Sequence, residues 1–211
     1  MACGVQGPLD LAATPETRPP DRRSPMPDSV AYTDNLLNLA AVIYQPEDDV
    51  DTLLADFALG LRDRGCRVGG IVQRNHKGDC GPVKLMEVMD LNTGRVIPIC
   101  QNLGPGSVAC RLDTGGLADA ALAVAQAVAD RVELVLVNKF GKTEAEGRGL
   151  RGEIAAAIDA GLPVLTAVPW RFYEAWMAFT GGYGTTLVCD TGVITTWWED
   201  WARRADWRRA N

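Results

Sequence analysis

Two apolar runs, separated by a charged turn and a helical segment, constrain the fold more than any other stretch of this 211-residue chain. The runs are Val132–Val137 and Val164–Val168, and the charged turn is 138–148. Strand, turn, helix and strand in this order form a βαβ unit, and uninterrupted apolar strands are typical of a parallel sheet covered on both faces. The sequence therefore predicts an α/β fold that binds ligands at the carboxyl ends of its strands.

A second strand, helix and strand precede this unit. Leu39–Tyr44 is typical of a buried strand, Val50–Arg64 of an amphipathic helix, and Arg67–Gln73 of the next strand. Nucleotide-binding folds usually hold phosphate at the turn after the first strand, where glycines let backbone N–H groups approach the anion. Here the turn 44–52 has no glycine and no lysine. Its carboxylates suit a helix N-terminus but would repel a triphosphate. They are Glu47, Asp48, Asp49 and Asp51.

Further elements are predicted on either side of the central unit. A β-hairpin, 84–99, is inserted around the turn Leu91–Gly94, and a helix follows from a capping Thr114 to Asp130. Near the C-terminus, Thr186–Cys189 and Val193–Thr196 predict a second hairpin. The tail after it is a helix rich in Trp and Arg, which we expect to dock onto the core or to form a homo-oligomer contact.

Composition divides the chain into an arm and one domain. Residues 1–34 are rich in Pro, Asp, Arg and Ser without apolar periodicity, so we expect a disordered arm, and Met26 is an alternative start. Residues 35–211 suit one α/β domain, because 47% of the chain is hydrophobic.

Charge and cysteine usage exclude several classes of function. A net charge of −6 gives no reason to expect nucleic acid as a partner, and no apolar run is long enough to span a membrane. No secretory signal is recognisable, so we expect a cytoplasmic protein with reduced thiols. Cys80, Cys100 and Cys110 could approach one another, but the paired spacing of zinc sites is missing, and we expect no metal site.

The charged turn 138–148 carries the candidate binding site. One interpretation is a solvated helix start, because Thr143 and Glu146 have capping-box spacing and Glu144 and Arg148 form an i,i+4 pair. The other interpretation is an oxyanion site, because cations near a helix N-terminus oppose its dipole unless an anion binds there.

Residues outside this turn complete the candidate set. Arg74 and Arg111 lie at loop edges that could converge on the turn, and Thr52 supplies a hydroxyl after the first strand. No catalytic residue is proposed. The candidate ligand-binding residues are Asn138, Lys139, Lys142, Thr143, Glu144, Glu146, Arg148, Arg151, Arg74, Arg111, Gln45 and Thr52.

The order of these motifs resembles a known class. The VGGIVQ strand, the VMDLNTGRVIPI hairpin, the CRLD segment and the LVLVNKFG strand are similar to THEP-type nucleoside-triphosphatases of the P-loop class. The NKFGK, EAEGRGLR and PVLTAVP stretches resemble more closely an uncharacterised bacterial family, a domain of unknown function often encoded near molybdate-uptake or nitrogenase genes. The resemblance spans Leu39 to Trp201. It implies a three-layer αβα fold like that of P-loop nucleoside-triphosphatases, with a mostly parallel sheet, an inserted hairpin and a C-terminal hairpin plus helix.

The chain departs from the active relatives at both halves of their hydrolytic machinery. Their phosphate loop falls on the turn 44–52, and their magnesium-binding acidic pair falls on Asn138 and Lys139, which cannot hold Mg²⁺. The resemblance therefore implies non-hydrolytic binding of a small oxyanion, molybdate or tungstate, or of a nucleotide. Two alternatives are a nucleoside-triphosphatase or nucleotide transferase with a non-standard phosphate site, and a module that binds another protein.

Overall fold

The computed structural model describes residues 38–77, 84–101 and 111–210, but not the side chains at 75–77, 84–85, 101, 111 and 206–210. The predicted arm 1–34, Met26, Cys80 and Cys110 therefore lie outside the described residues. The side chain of Arg111 also lies outside them.

Nine strands form in the described ranges, seven of them in one sheet. The sheet order is β4-β3-β2-β7-β8-β1-β9, and β5 pairs with β6 separately. The strands are β1 Leu39–Tyr44, β2 Val68–Lys77, β3 Lys84–Asp90, β4 Val96–Pro98, β5 Cys100–Gln101, β6 Arg111–Leu112, β7 Leu134–Val137, β8 Val164–Pro169 and β9 Thr185–Val188.

Six α-helices connect these strands within the described ranges, and a 3₁₀ turn, Trp170–Phe172, follows β8. The helices are α1 Val50–Asp63, α2 Thr114–Ala129, α3 Lys142–Ala145, α4 Arg151–Asp159, α5 Tyr173–Thr180 and α6 Thr191–Ala210.

The predicted βαβ unit is confirmed. β7 and β8 are parallel neighbours in register, with Val135 opposite Val164, and α4 lies between them in sequence. β2, β7, β8, β1 and β9 are all parallel, so their carboxyl ends lie at one edge of the sheet. The inserted hairpin is also confirmed: β3 and β4 pair antiparallel and extend the sheet beyond β2.

Successive side chains along each buried strand point to opposite faces of the sheet, and because both sets are apolar, helices cover both faces. In β1, Ala41 and Ile43 belong to the core under α2, α4 and α5, whereas Ala40 and Val42 belong to the core under α1 and α6. Each strand therefore contributes apolar side chains to two cores, as expected for a sheet buried on both faces. The result is a three-layer αβα arrangement.

Two glycines allow close backbone approaches that position the site. Gly70 has φ +97°, and a Cβ there would overlap the carbonyl oxygen of Leu136 on β7. Gly116 lies where α2 meets β4, and a Cβ there would overlap the carbonyl oxygen of Pro98. The N-cap of α2 is Asp113, which accepts from Gly116 N at 2.8 Å, so the predicted cap at Thr114 is wrong by one residue.

The predicted C-terminal hairpin is wrong. β9 is a parallel edge strand beside β1, and residues 193–196 lie in α6. The reason is local, because Asp190 Oδ1 accepts from Val193 N at 3.0 Å and caps a helix where a hairpin turn was expected. Trp197 and Trp198 are buried in the core on the α1 side, so the tail docks onto the domain.

The expectation of reduced thiols is wrong for Cys100, which is disulfide-bonded, whereas Cys66 and Cys189 are free. In the part of the chain that the structure describes, every helix is too short or too polar to cross a bilayer.

Candidate functional site

A cavity of about 510 Å³ opens at the carboxyl edge of the sheet, on the face covered by α2. The turn after β7 forms one side, and β2, β3 and α2 form the other. Its lining residues are Tyr44, Ile71, Gln73, Met86, Val88, Ile99, Leu112, Leu117, Ala120, Asn138, Lys139, Gly141, Lys142, Thr143, Glu144, Leu150, Pro169, Arg171 and Phe172.

Lys139 follows β7 and connects three elements. Its Nζ lies 3.2 Å from Asp51 Oδ1 on α1, and it donates to the Tyr44 hydroxyl at the end of β1, also at 3.2 Å. The ammonium also lies 5.3 Å from the centroid of the Tyr44 ring. Because Asp51 neutralises it, this cation contributes less attraction for a ligand than the sequence suggests.

The N-terminus of α1 is occupied by the protein's own carboxylates. Asp49 accepts from Thr52 N at 3.3 Å, and Asp48 accepts from Gln45 N at 2.7 Å. Gln45 and Thr52 thus supply backbone N–H groups to this turn and do not line the cavity. A phosphate placed here would have to displace these carboxylates and face their negative charge.

Asn138, directly after the end of β7, is buried, with 2% of the residue exposed. Its Nδ2 donates to Asp51 Oδ1 at 2.9 Å, which identifies the nitrogen of the amide, and the peptide bond to Lys139 is cis. Its Oδ1 has no hydrogen-bond partner among the described residues. Leaving such an acceptor unpaired costs about 1–3 kcal/mol.

Glu144 closes the loop between α3 and α4. It is buried, and its two oxygens accept from Gly141 N at 2.9 Å and Leu150 N at 3.0 Å. Arg151 Nη1 donates to the Glu144 carbonyl oxygen at 3.3 Å. A Cβ at Gly149, whose φ is +63°, would overlap Glu144 Oε1. Glu144 therefore holds the loop in shape.

The exposed members of the charged turn pair with one another. Lys142 and Arg148 have side chains that are 76% and 72% exposed. Glu146 lies 2.6 Å from Arg148 Nη2 and 3.7 Å from Lys142 Nζ. The hydrogen bond from Arg148, aided by the charge of Lys142, lowers the pKa of Glu146.

Two predicted local interactions in this turn are wrong. Thr143 and Glu146 form no capping box, because α3 begins after Gly141 and ends at Ala145. Glu144 and Arg148 form no i,i+4 pair, because Glu144 bonds to the backbone and Arg148 to Glu146. The reason is that Gly147 and Gly149 adopt positive φ and break the expected continuous helix into α3 and α4.

The structure brings only part of the predicted site together. Of the twelve predicted residues, the cavity lining includes Asn138, Lys139, Lys142, Thr143 and Glu144. The described side chains that do not line it are those of Gln45, Thr52, Arg74, Glu146, Arg148 and Arg151.

The basic residues outside the cavity have other surroundings. The guanidinium of Arg151 lies 4.4 Å from the centroid of the Phe179 ring, a cation–π contact on the α5 side. Arg74 is half-buried on β2, directly after a residue that does line the cavity. The predicted convergence of Arg74 on the turn is therefore wrong, because neighbouring residues on a strand face opposite sides of the sheet.

Gln73 and Arg171 are two of the cavity residues that the sequence analysis missed. Gln73 is buried on β2, and Arg171 is exposed in the 3₁₀ turn after β8. A signal existed for both: Gln73 ends an apolar strand pattern, and Arg171 follows the carboxyl end of the next predicted strand, where ligands bind.

Comparisons with known proteins place this geometry in context. Residues 39–197 match the family model described as a protein of unknown function, DUF2478. Over 206 residues the chain is 54% identical to the molybdenum import ATP-binding protein ModC 2 of Bradyrhizobium diazoefficiens, covering 97% of this chain but 23% of that protein. The chain thus spans less than a quarter of that relative. A solution structure of a human cancer-related nucleoside triphosphatase shows 17% identity and a TM-score of 0.46, covering 71% of this chain and 85% of that one.

Proposed function

The chain belongs to DUF2478, a family of proteins of unknown function, and we propose that it is a binding domain that holds a small anionic ligand without hydrolysing it. The ligand is an oxyanion such as molybdate or tungstate, or a nucleotide. The domain serves molybdenum metabolism in the cytoplasm.

One observation carries the non-hydrolytic part of this proposal. Asp51 on the first turn of α1 contacts both Asn138 and Lys139, the two residues that follow β7. In the P-loop nucleoside-triphosphatases that the sequence resembles, phosphate and magnesium would need the space between those elements. Here an internal ion pair and an amide hydrogen bond occupy it, so the cavity on the α2 side remains as the place for a ligand.

The cationic side chains of the cavity favour an anion. Lys142 and Arg171 both line it and are largely exposed, and Thr143 adds a hydroxyl. Lysine and arginine bind oxyanions through charge-assisted hydrogen bonds. Among the described residues, Lys142 pairs with Glu146, at 3.7 Å on the exposed surface, so a ligand could compete for that ammonium.

The molybdenum assignment comes from the relative in Bradyrhizobium diazoefficiens, whose name describes molybdenum import and ATP binding. This chain matches less than a quarter of it, so we propose an accessory role for the matching segment. Binding of molybdate, tungstate or a nucleotide would couple such a segment to import.

The enzymatic alternative receives less support. It would need Glu144 or Glu146 as a base or metal ligand. Glu144 accepts backbone hydrogen bonds at both oxygens, and Glu146 is engaged by Lys142 and Arg148 at the surface. Neither carboxylate is positioned to activate water at the cavity floor.

Calorimetry with molybdate, tungstate, sulfate, phosphate, ATP and GTP tests the proposal, together with a phosphate-release assay in Mg²⁺. We expect at least one anion to bind without turnover, and Lys142→Ala or Arg171→Ala to weaken it roughly tenfold, the loss of about one charge-assisted hydrogen bond. Arg148→Ala is the matched control, because it removes the same charge outside the cavity. Turnover of ATP or GTP, or no binding of any anion, would overturn the proposal.

A further inference from the structure

We infer that the cavity takes a planar nitrogen heterocycle that carries a ring N–H and an acidic substituent, with the ring inside and the acid at the mouth. This inference rests on the proposed function, because it names the class of ligand for the same site. It also separates an organic anion from a bare inorganic oxyanion.

The size of the cavity favours an organic ligand. At about 510 Å³ it falls within the range of roughly 300–1,000 Å³ that is usual for small-molecule sites. One tetrahedral oxyanion would fill little of it.

The walls favour a flat, apolar-faced group. The side chains on the α2, β3 and 3₁₀ sides include Val88, Leu117, Ala120 and Phe172. A desolvated inorganic anion between such side chains would lose its hydration without replacement hydrogen bonds. A heterocyclic ring buries its faces against them at no such cost.

Buried amides supply the polar edge that a ring needs. Gln73 lies on β2 and Asn138 directly follows the neighbouring strand β7; both line the cavity and are more than nine-tenths buried. Asn138 Nδ2 is held by Asp51, which leaves its Oδ1 as an acceptor without a partner in the described residues. A ring N–H is the matching donor, and because Oδ1 is itself buried, the amide turns toward the cavity to accept from it.

The mouth supplies the charge. Lys142 and Thr143 begin α3, and Arg171 lies in the 3₁₀ turn after β8; the side chains of Lys142 and Arg171 are exposed to solvent. A phosphate or carboxylate attached to the ring would meet these side chains while staying hydrated. The ring and the acid thus match different parts of one cavity.

Calorimetry on the full chain with GMP, AMP, N1-methyl-GMP, ribose 5-phosphate and molybdate tests the ligand class. GMP has a ring N–H, whereas AMP, N1-methyl-GMP and ribose 5-phosphate lack one. We expect GMP to bind at least tenfold more tightly than these three. If ribose 5-phosphate or molybdate alone binds as tightly as GMP, the inference is overturned while the proposed function stands. If no anion binds, both fail.

Two variants of α2 locate the ring. Leu117→Trp fills the cavity and should reduce GMP affinity at least tenfold, whereas Leu122→Trp on the exposed face should leave it unchanged. Unaltered thermal melts would confirm that both variants fold. Equal GMP affinity in the two folded variants would overturn the inference, and the N1-methyl comparison on the unaltered chain tests it even if Leu117→Trp fails to fold.

Discussion

The ammonium of Lys139 lies 3.2 Å from the Asp51 carboxylate, and this ion pair joins the residue after β7 to the first turn of α1. Asp51 also accepts the Asn138 amide at 2.9 Å. One carboxylate therefore serves two neighbours at the carboxyl edge of the sheet.

Replacing Asp51 by Ala should destabilise the domain, because it leaves Lys139 without its counter-charge and Asn138 without its acceptor. We expect a loss of about 1–3 kcal/mol in the free energy of unfolding. Urea denaturation measures it, and Lys142→Ala is the control, since its pair with Glu146 is exposed and should change stability by less than about 0.5 kcal/mol. Equal losses in the two variants would show that Asp51 is not an anchor.

Replacing Glu144 by Gln should also destabilise the domain. In the variant, the NH₂ group of the amide faces a backbone N–H that bonds to a carboxylate oxygen in the unaltered protein, so two donors meet. The expected loss is about 2 kcal/mol, since the buried carboxylate accepts from both Gly141 N and Leu150 N. Glu146→Gln, at the surface, is the matched control and should be nearly neutral. Chemical denaturation of both variants checks the difference.

Periodic patterns in the sequence were sufficient for the main architecture. The apolar runs around 132–137 and 164–168 predicted the βαβ unit, because a strand buried on both faces needs apolar side chains at every position. The same pattern predicted that the carboxyl ends of the parallel strands lie at one edge of the sheet, and the structure confirms it. The prediction of a strand at residues 193–196 was wrong, because their composition is strand-like although they lie in α6. Packing of Ile194 and Trp197 in a buried core overrides this local propensity.

The site was less predictable because its contacts join distant residues. Nothing near Lys139 in sequence indicates that Asp51, on another helix, neutralises it. The positive φ at Gly147 and Gly149 breaks the helix that the spacing of Glu144 and Arg148 suggested. Charge patterns therefore located the turn, but they could not say which cations the protein neutralises itself.

Cys189 should react slowly with alkylating reagents at neutral pH. Burial, together with the nearby carboxylates of Asp48, Asp49 and Asp190, raises the pKa of its thiol to about 11. Its alkylation rate should still rise about tenfold per pH unit between pH 8 and pH 10, whereas the rate of an ordinary thiol levels off above its pKa of 9.0. Peptide mass spectrometry after timed iodoacetamide labelling measures the rate at this residue.

The raised pKa of Cys189 also fixes the sign of a stability effect. The folded state favours the neutral thiol, so its contribution to stability is complete below the ordinary pKa of 9.0 and is lost as pH rises toward about 11. Cys189→Ser should therefore reduce the loss of stability over that pH range. A labelling rate that levels off near pH 9 would contradict both expectations.

Gly116→Ala should destabilise the domain, because the added methyl group overlaps the Pro98 carbonyl oxygen where α2 packs against β4. The backbone must shift to relieve the overlap, at a cost of about 1–3 kcal/mol. Gly152→Ala is the control within α4, where a Cβ meets nothing within 4 Å and should stabilise the helix by roughly 0.5 kcal/mol. In both thermal and urea unfolding, the midpoint should therefore fall for Gly116→Ala and rise for Gly152→Ala. Because α2 also lines the cavity, Gly116→Ala should weaken ligand binding as well, and a stable variant with unchanged affinity would contradict the close approach.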